Sequence, residues 1–404
     1  MQYSKKVEPL FKSGRESGID KLSDPELIKL SIGNPPNEGF AVERIRAISE
    51  RLLREDPYSM LSYSSAAGRA DLKAAIKAFM NRRFPVIGDD DEITITTGGQ
   101  QAIALAAQLF CNDGDTVLVE MPTFMAALDT LRAQGAQLVG VRMEEDGIDL
   151  VDLEAKMRLQ PKPKLLYLIS DFHNPMGVCL PEYKRRVICE LANKYGIPVL
   201  EDNPYYELRY DGEFIPFVKC FDTHGMVALT SSMSKIVAPG MRVGFVAAPG
   251  KMGEGFALLK SADDLHVSTW PQRVCCTLLE EGLEQELEDL RALYGHRGRL
   301  MYEQLRARCH PVVRLTKPQG GMFIWVTLPA SCRNIDAFID ELAQNRVVVV
   351  PGKDFYCDRE ASTNSFRVSY SLASDEQIEK AARIIGELTY KYIPGPRRPG
   401  GDRA

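Results

Sequence analysis

Along the middle of the chain, short apolar runs rich in β-branched residues alternate with stretches of helical spacing. The runs at 92–96, 116–120, 137–141, 164–169, 197–201, 226–230 and 243–247 read as strands, each near Gly, Pro, Asn or Asp punctuation. Helices are expected between them, at 100–110 and at 181–195, where Pro181 suits a first helical turn. Strands that alternate with helices imply an α/β domain, with a mostly parallel mixed sheet between helices. Past residue 282 the pattern changes. A long charged amphipathic helix over 283–308 precedes a strand at 321–328, a helix at 335–345, strands at 347–350 and 366–370, and a helix at 374–392, which is a smaller α+β unit. The expected division is an arm and loop over 1–40 that joins the small domain, a large domain over 41–282, the interdomain helix and small domain over 283–392, and a disordered Pro/Gly/Arg-rich tail over 393–404.

Composition narrows the chemistry. A net charge of −5 with few basic clusters argues against nucleic-acid binding, and no apolar run approaches the roughly 20 residues of a membrane span. The first residues have no apolar signal core, so a cytoplasmic location is expected. Nine cysteines are scattered without a C-x-x-C pair or a histidine spacing typical of zinc, which predicts reduced thiols and no metal site. Small-molecule chemistry is left as the favoured class.

The most telling segment is Ser232-Met-Ser-Lys235, between two predicted strands, with Arg242 seven positions on. A lysine amine can form a Schiff base with an aldehyde, while two hydroxyls and a guanidinium suit a phosphate; pyridoxal phosphate has both groups. Alone, the segment is indistinguishable from a surface turn. Thr96-Thr-Gly98-Gly99-Gln100-Gln101 joins a strand to a helix, where backbone N–H groups can face an anion. Asp171-Phe-His-Asn174-Pro175 ends one strand and Asp202-Asn-Pro-Tyr205 the next. Loops at the carboxyl ends of such strands face the ligand crevice, so the glycine loop, Asn174, Asp202, Tyr205 and Lys235 are expected to converge.

With these motifs, and with Phe366-Arg367-Val-Ser-Tyr-Ser371, the chain resembles the class I/II aminotransferases, fold type I pyridoxal-phosphate enzymes, over roughly residues 5–392. The segments Ser13-Gly-Arg15-Glu, Leu30-Ser-Ile-Gly33-Asn-Pro35 and Leu61-Ser-Tyr63-Ser-Ser-Ala-Ala-Gly68 are most similar to the 2-aminoadipate and kynurenine aminotransferase branch. The resemblance implies pyridoxal 5'-phosphate as cofactor, bound as an aldimine to Lys235, which also moves protons at the substrate α-carbon. It implies that Asp202 keeps the ring nitrogen protonated and that Asn174 and Tyr205 meet the phenolic oxygen. Phe124 would stack on the ring, and Gly99, Gln100, Ser232, Ser234 and Arg242 would hold the phosphate. Tyr63 would reach the phosphate of the neighbouring subunit in a homodimer. Arg367 would clamp the substrate α-carboxylate, with Gly33 and Asn34 in the loop over the substrate. That branch usually has an apolar residue where Asn34 stands, which leaves the substrate class open. The implied activity is amino transfer from an L-amino acid to a 2-oxo acid, with 2-oxoglutarate the expected acceptor. Another pyridoxal-phosphate reaction (β-lyase, decarboxylase or oxidase) and a non-catalytic effector-binding module are the alternatives.

Overall fold

The structure, a computed structural model, describes residues 6, 24, 26–358 and 363–395. The arm motif at 13–16 and the chain beyond 395 lie outside them. An eight-stranded mixed sheet forms the centre, in the order Asp91–Thr96, Gly244–Pro249, Val227–Ser232, Val199–Asp202, Leu165–Leu168, Thr116–Met121, Gln137–Glu144, Gly147–Ile148. From Val227–Ser232 to Gln137–Glu144 every pairing is parallel. Strands Leu165–Leu168, Val199–Asp202 and Val227–Ser232 are buried along their whole length, as expected of parallel strands covered by helices on both faces. Gly244–Pro249 is antiparallel to both neighbours. A short connection can therefore turn back after Val227–Ser232, and Lys235 sits in it.

A second sheet is antiparallel, in the order Arg314–Leu315, Phe323–Thr327, Ser365–Ser369, Val350–Pro351. The run expected to be one strand over 347–350 serves two sheets instead. Val347–Val348 pairs in parallel with Ile28–Lys29, and Val350–Pro351 pairs with Arg367 and Phe366. The chain must switch partners between them, and Pro351 has no N–H with which to extend a ladder. The 25-residue helix Glu284–Arg308 begins with Glu284 and Glu286 and ends with Arg306 and Arg308, charges that complement its dipole. It packs along the helix Asp375–Tyr392, whose start is fixed by a capping box of Ser374 and Gln377. One hydrophobic core joins the two sheets: Ile95 and Leu229 of the large sheet share it with Ile324, Val326 and Phe366 of the smaller one. No helix among the described residues is long and apolar enough to cross a membrane.

Candidate functional site

Neighbouring parallel strands deliver their side chains to one end of the large sheet. Asp202 is the last residue of its strand, and Lys235 lies in the turn Met233–Lys235 that follows Val227–Ser232. Asn174 follows Leu165–Leu168, and Phe124 caps the helix Met125–Ala133 just past Thr116–Met121. From the smaller sheet Arg367 reaches the same place. Its Nη1 donates to Asn174 Oδ1 at 2.7 Å and its Nη2 to the Ser31 carbonyl at 2.5 Å, while Nε has no partner. The guanidinium lies 4.3 Å from the ring centroid of Phe323 and 5.2 Å from that of Phe355. Lys235 Nζ donates to the Gly33 carbonyl at 2.7 Å. The loop 31–33 therefore offers backbone carbonyls to both cations. It can pass so closely because position 33 is glycine, where a Cβ would stand 2.8 Å from Phe323 Cζ.

Charges withdrawn from solvent that close no ion pair distinguish this place, with Asp202 and Arg367 buried and Lys235 half-buried. Asp202, Lys235 and Arg367 close no ion pair among the described residues. Burial raises the Asp202 carboxyl to about 6, against a hydrogen bond from Tyr167. Burial, with the like charges of Arg367 and Arg242, brings the Lys235 amine down to about 8, and burial alone takes Arg367 down to about 10. The Tyr205 phenol, pushed up by burial, stays neutral beside Asn174. Its ring packs edge-on against Phe323 with centroids 5.8 Å apart.

At the start of the helix Gly99–Phe110 the chain forms an anion cradle. Gly98 has φ 76°, and no side chain caps the helix, so the first N–H groups stay open. A Cβ on Gly98 would collide with the Arg242 guanidinium, which donates to the Thr97 carbonyl at 2.9 Å. Ser232 and Ser234 place their hydroxyls 2.7 Å apart. Gln100 turns its side-chain amide to Thr130 Oγ1 at 3.2 Å, which leaves its backbone N–H as its contribution to the cradle.

Two expected participants present exposed side chains. Tyr63 is 87% exposed, its ring edge-on to His266, and Asn34 is exposed. Sequence reasoning missed the residues behind Asp202, foremost Tyr167, whose hydroxyl donates to Asp202 Oδ2 at 2.7 Å. It lies in an apolar strand and reads as core. Its one signal was polarity in the strand just before Asn174.

Comparison with known proteins agrees with this architecture. Residues 25–385 match the family model described as aminotransferase class I and II. The chain is 32% identical to aromatic-amino-acid aminotransferase 1 of Thermococcus litoralis, over 90% of this chain and 88% of that one. It is also 32% identical to a 2-aminoadipate transaminase of Thermus thermophilus, over 90% of each. The solved structure of a kynurenine aminotransferase from Pyrococcus horikoshii superposes with a TM-score of 0.91 at 30% identity, covering 97% of this chain and 98% of that one. Charges gathered without an ion pair at the end of the large sheet of a fold type I structure and this breadth of likeness lead to one conclusion: the chain belongs to the aminotransferase class I and II family and is an amino-group-transferring enzyme.

Proposed function

We propose that the chain uses pyridoxal 5'-phosphate to move the amino group of an L-amino acid to a 2-oxo acid, with 2-oxoglutarate as the expected acceptor. The observation that carries this reading is the trio of buried Asp202, half-buried Lys235 and buried Arg367, gathered at one crevice without closing an ion pair among the described residues. Each lacks what one part of the cofactor or substrate would supply. A cationic ring nitrogen suits Asp202, and an anionic α-carboxylate suits Arg367, whose Nε is free. The open N–H groups at Gly99 and Gln100, with Ser232, Ser234 and Arg242, suit a phosphate. Asn174 and Tyr205 are the neutral donors for a phenolic oxygen, and Phe124 is the aromatic that would pack on the ring.

When bound, the cofactor supplies an aldehyde that captures amines and an electron-poor ring that stabilises negative charge at the substrate α-carbon. Lys235 serves first as the amine that anchors. An amine brought down to about 8 is partly deprotonated near neutral pH, so Nζ can then take and return a proton at the substrate α-carbon. Arg367 orients the substrate through its carboxylate, and the loop carrying Gly33 and Asn34 covers it. Tyr63 is assigned to the phosphate of a second subunit. The exposed Tyr58, Leu61 and Tyr63 support a homodimer that would bury them. Also proposed are the cytoplasmic location and the division at 40, 282 and 392. The pairing of Ile28–Lys29 with Val347–Val348 supports joining the arm to the small domain.

Borohydride treatment of the purified protein, followed by peptide mapping, should leave a phosphopyridoxyl group on Lys235. A panel of amino donors with 2-oxoglutarate and pyruvate should yield the matching 2-oxo acids and glutamate or alanine. A label on a different lysine would overturn the assignment; release of carbon dioxide or ammonia without a new amino acid would favour decarboxylase or β-lyase chemistry.

A further inference from the structure

Behind Asp202 lies a layer of buried polar side chains on two neighbouring strands. Tyr167 is fully buried, and its hydroxyl donates to Asp202 Oδ2 at 2.7 Å. The other oxygen, Oδ1, faces the start of the helix Gly99–Phe110, where a Cβ on Gly99 would stand 3.9 Å from it. Glu120, also fully buried, accepts from the Ile169 N–H at 2.8 Å through Oε2, which lies 3.1 Å from His173 Nε2. The charged and titratable groups acting on Asp202 are thus Tyr167, Glu120 and Lys235.

A phenol does here what a cation could not. Lysine or arginine at 167 would neutralise Asp202 before any ligand arrived. Tyr167 stays neutral, because burial and the charges of Asp202 and Glu120 push its ionisation well above the ordinary value. It therefore satisfies one carboxylate oxygen and leaves the full negative charge for the other. It also makes that charge less basic. A less basic carboxylate competes less well for a proton it shares with a heteroaromatic N–H.

We propose that Tyr167 is a positioning residue, which presents Asp202 Oδ1 to the cofactor ring nitrogen and keeps the shared proton on that nitrogen. This rests on the assignment of Asp202 made under the proposed function.

The test loads wild type, Tyr167→Phe and Tyr206→Phe with pyridoxal phosphate labelled with nitrogen-15 in the ring, and reads the nitrogen chemical shift and the cofactor dissociation constant. Tyr206 is the control because it too is a buried tyrosine, with a hydroxyl that has no partner. Wild type and Tyr206→Phe should show a protonated nitrogen. In Tyr167→Phe the signal should move toward the neutral position, and the cofactor should bind about tenfold more weakly, the loss of one hydrogen bond to a charged group. An unmoved signal and unchanged affinity in that variant would overturn the role of Tyr167 and leave Asp202 in place. A neutral nitrogen in wild type would instead overturn the assignment of Asp202. Should Tyr167→Phe not fold, 3-fluorotyrosine at 167 keeps the shape and strengthens the donor. Binding at least as tight as wild type with a protonated nitrogen then supports the proposal, and a neutral nitrogen or weaker binding refutes it.

Discussion

Asp171 and Asp202 are both buried just beyond or at the ends of adjacent parallel strands, yet their carboxyls titrate in opposite directions. Burial acts on Asp171 as well, but the Arg185 guanidinium at 2.9 and 3.0 Å, Arg209 at 3.2 Å and the Asn203 amide at 2.8 Å bring its carboxyl below the ordinary value. Asp202 has one phenol donor and rises to about 6. The arginines repeat the contrast: Arg185 is raised despite burial, while Arg367 falls to about 10. Asp171 and Arg185 complete each other and hold the sheet end together. Asp202, Lys235 and Arg367 are left incomplete at a cost in stability, which ligands can offset on binding.

Stability measurements on the cofactor-free protein should separate the two clusters most sharply. Asp171→Asn removes the buried carboxylate that both Arg185 and Arg209 contact, and should lower the unfolding free energy by about 3–5 kcal/mol. Asp202→Asn removes an uncompensated charge and keeps an oxygen for Tyr167, so it should leave that free energy unchanged or raised. Urea titrations of both variants test this; equal losses would show that the two aspartates do the same structural work.

The pH dependence sharpens the same contrast. Asp202 titrates near 6 when folded, above its ordinary 3.8. Between those values the native state holds a proton that the unfolded chain has released. Its contribution to stability is therefore fully present below 3.8 and is lost as pH rises through about 6. Relative to Asp202→Asn, cofactor-free wild type should lose roughly 2 kcal/mol between about pH 4 and pH 7. Asp171 has the opposite sign: its contribution is present above 3.8 and fades as pH falls through its lowered folded value. A flat difference curve between wild type and Asp202→Asn would mean that Asp202 is not short of a partner.

These partners explain what the sequence made legible. Lys235, Asp202 and Asn174 could be read because strand periodicity ends just before them and turn residues follow. Arg367 was found by motif alone, since its partner Asn174 is 193 positions away. The role of Tyr167 was not legible because its strand is otherwise apolar and Asp202 is 35 positions on. The double use of the 347–351 segment depends on two partners remote in sequence, which no local pattern encodes. Strand existence follows from side-chain pattern; which polar groups remain unpaired in the core follows only from packing.

On the cationic side of the comparison, Arg367→Ala orphans no buried anion in the cofactor-free protein, so its stability loss should come only from lost packing and the hydrogen bonds to Asn174 and Ser31, and should stay below that of Asp171→Asn. It should lower kcat/KM for α-amino acids roughly 10- to 150-fold, or about 1.5–3 kcal/mol, the worth of a charge-assisted contact made to substrate. Amines without a carboxylate should lose much less, and a uniform loss across both classes would point to general disruption of the site.

Asn34 gives the smallest effect, and it tests where the incomplete region stops. It sits next to Gly33, whose carbonyl receives Lys235, but its own side chain is exposed. An amide already in water carries no unmet hydrogen bond, and substitution of an exposed residue is usually worth no more than about 0.5 kcal/mol. Asn34→Leu should therefore change the ratio of kcat/KM for glutamate or 2-aminoadipate over that for leucine by less than about threefold. A buried amide facing substrate would be worth about 1–3 kcal/mol, and its loss would lower the ratio by roughly fivefold or more. Measuring both donors in both proteins separates these cases. A fall of the larger size would extend the site from the Gly33 backbone to the Asn34 side chain and make that loop part of substrate selection.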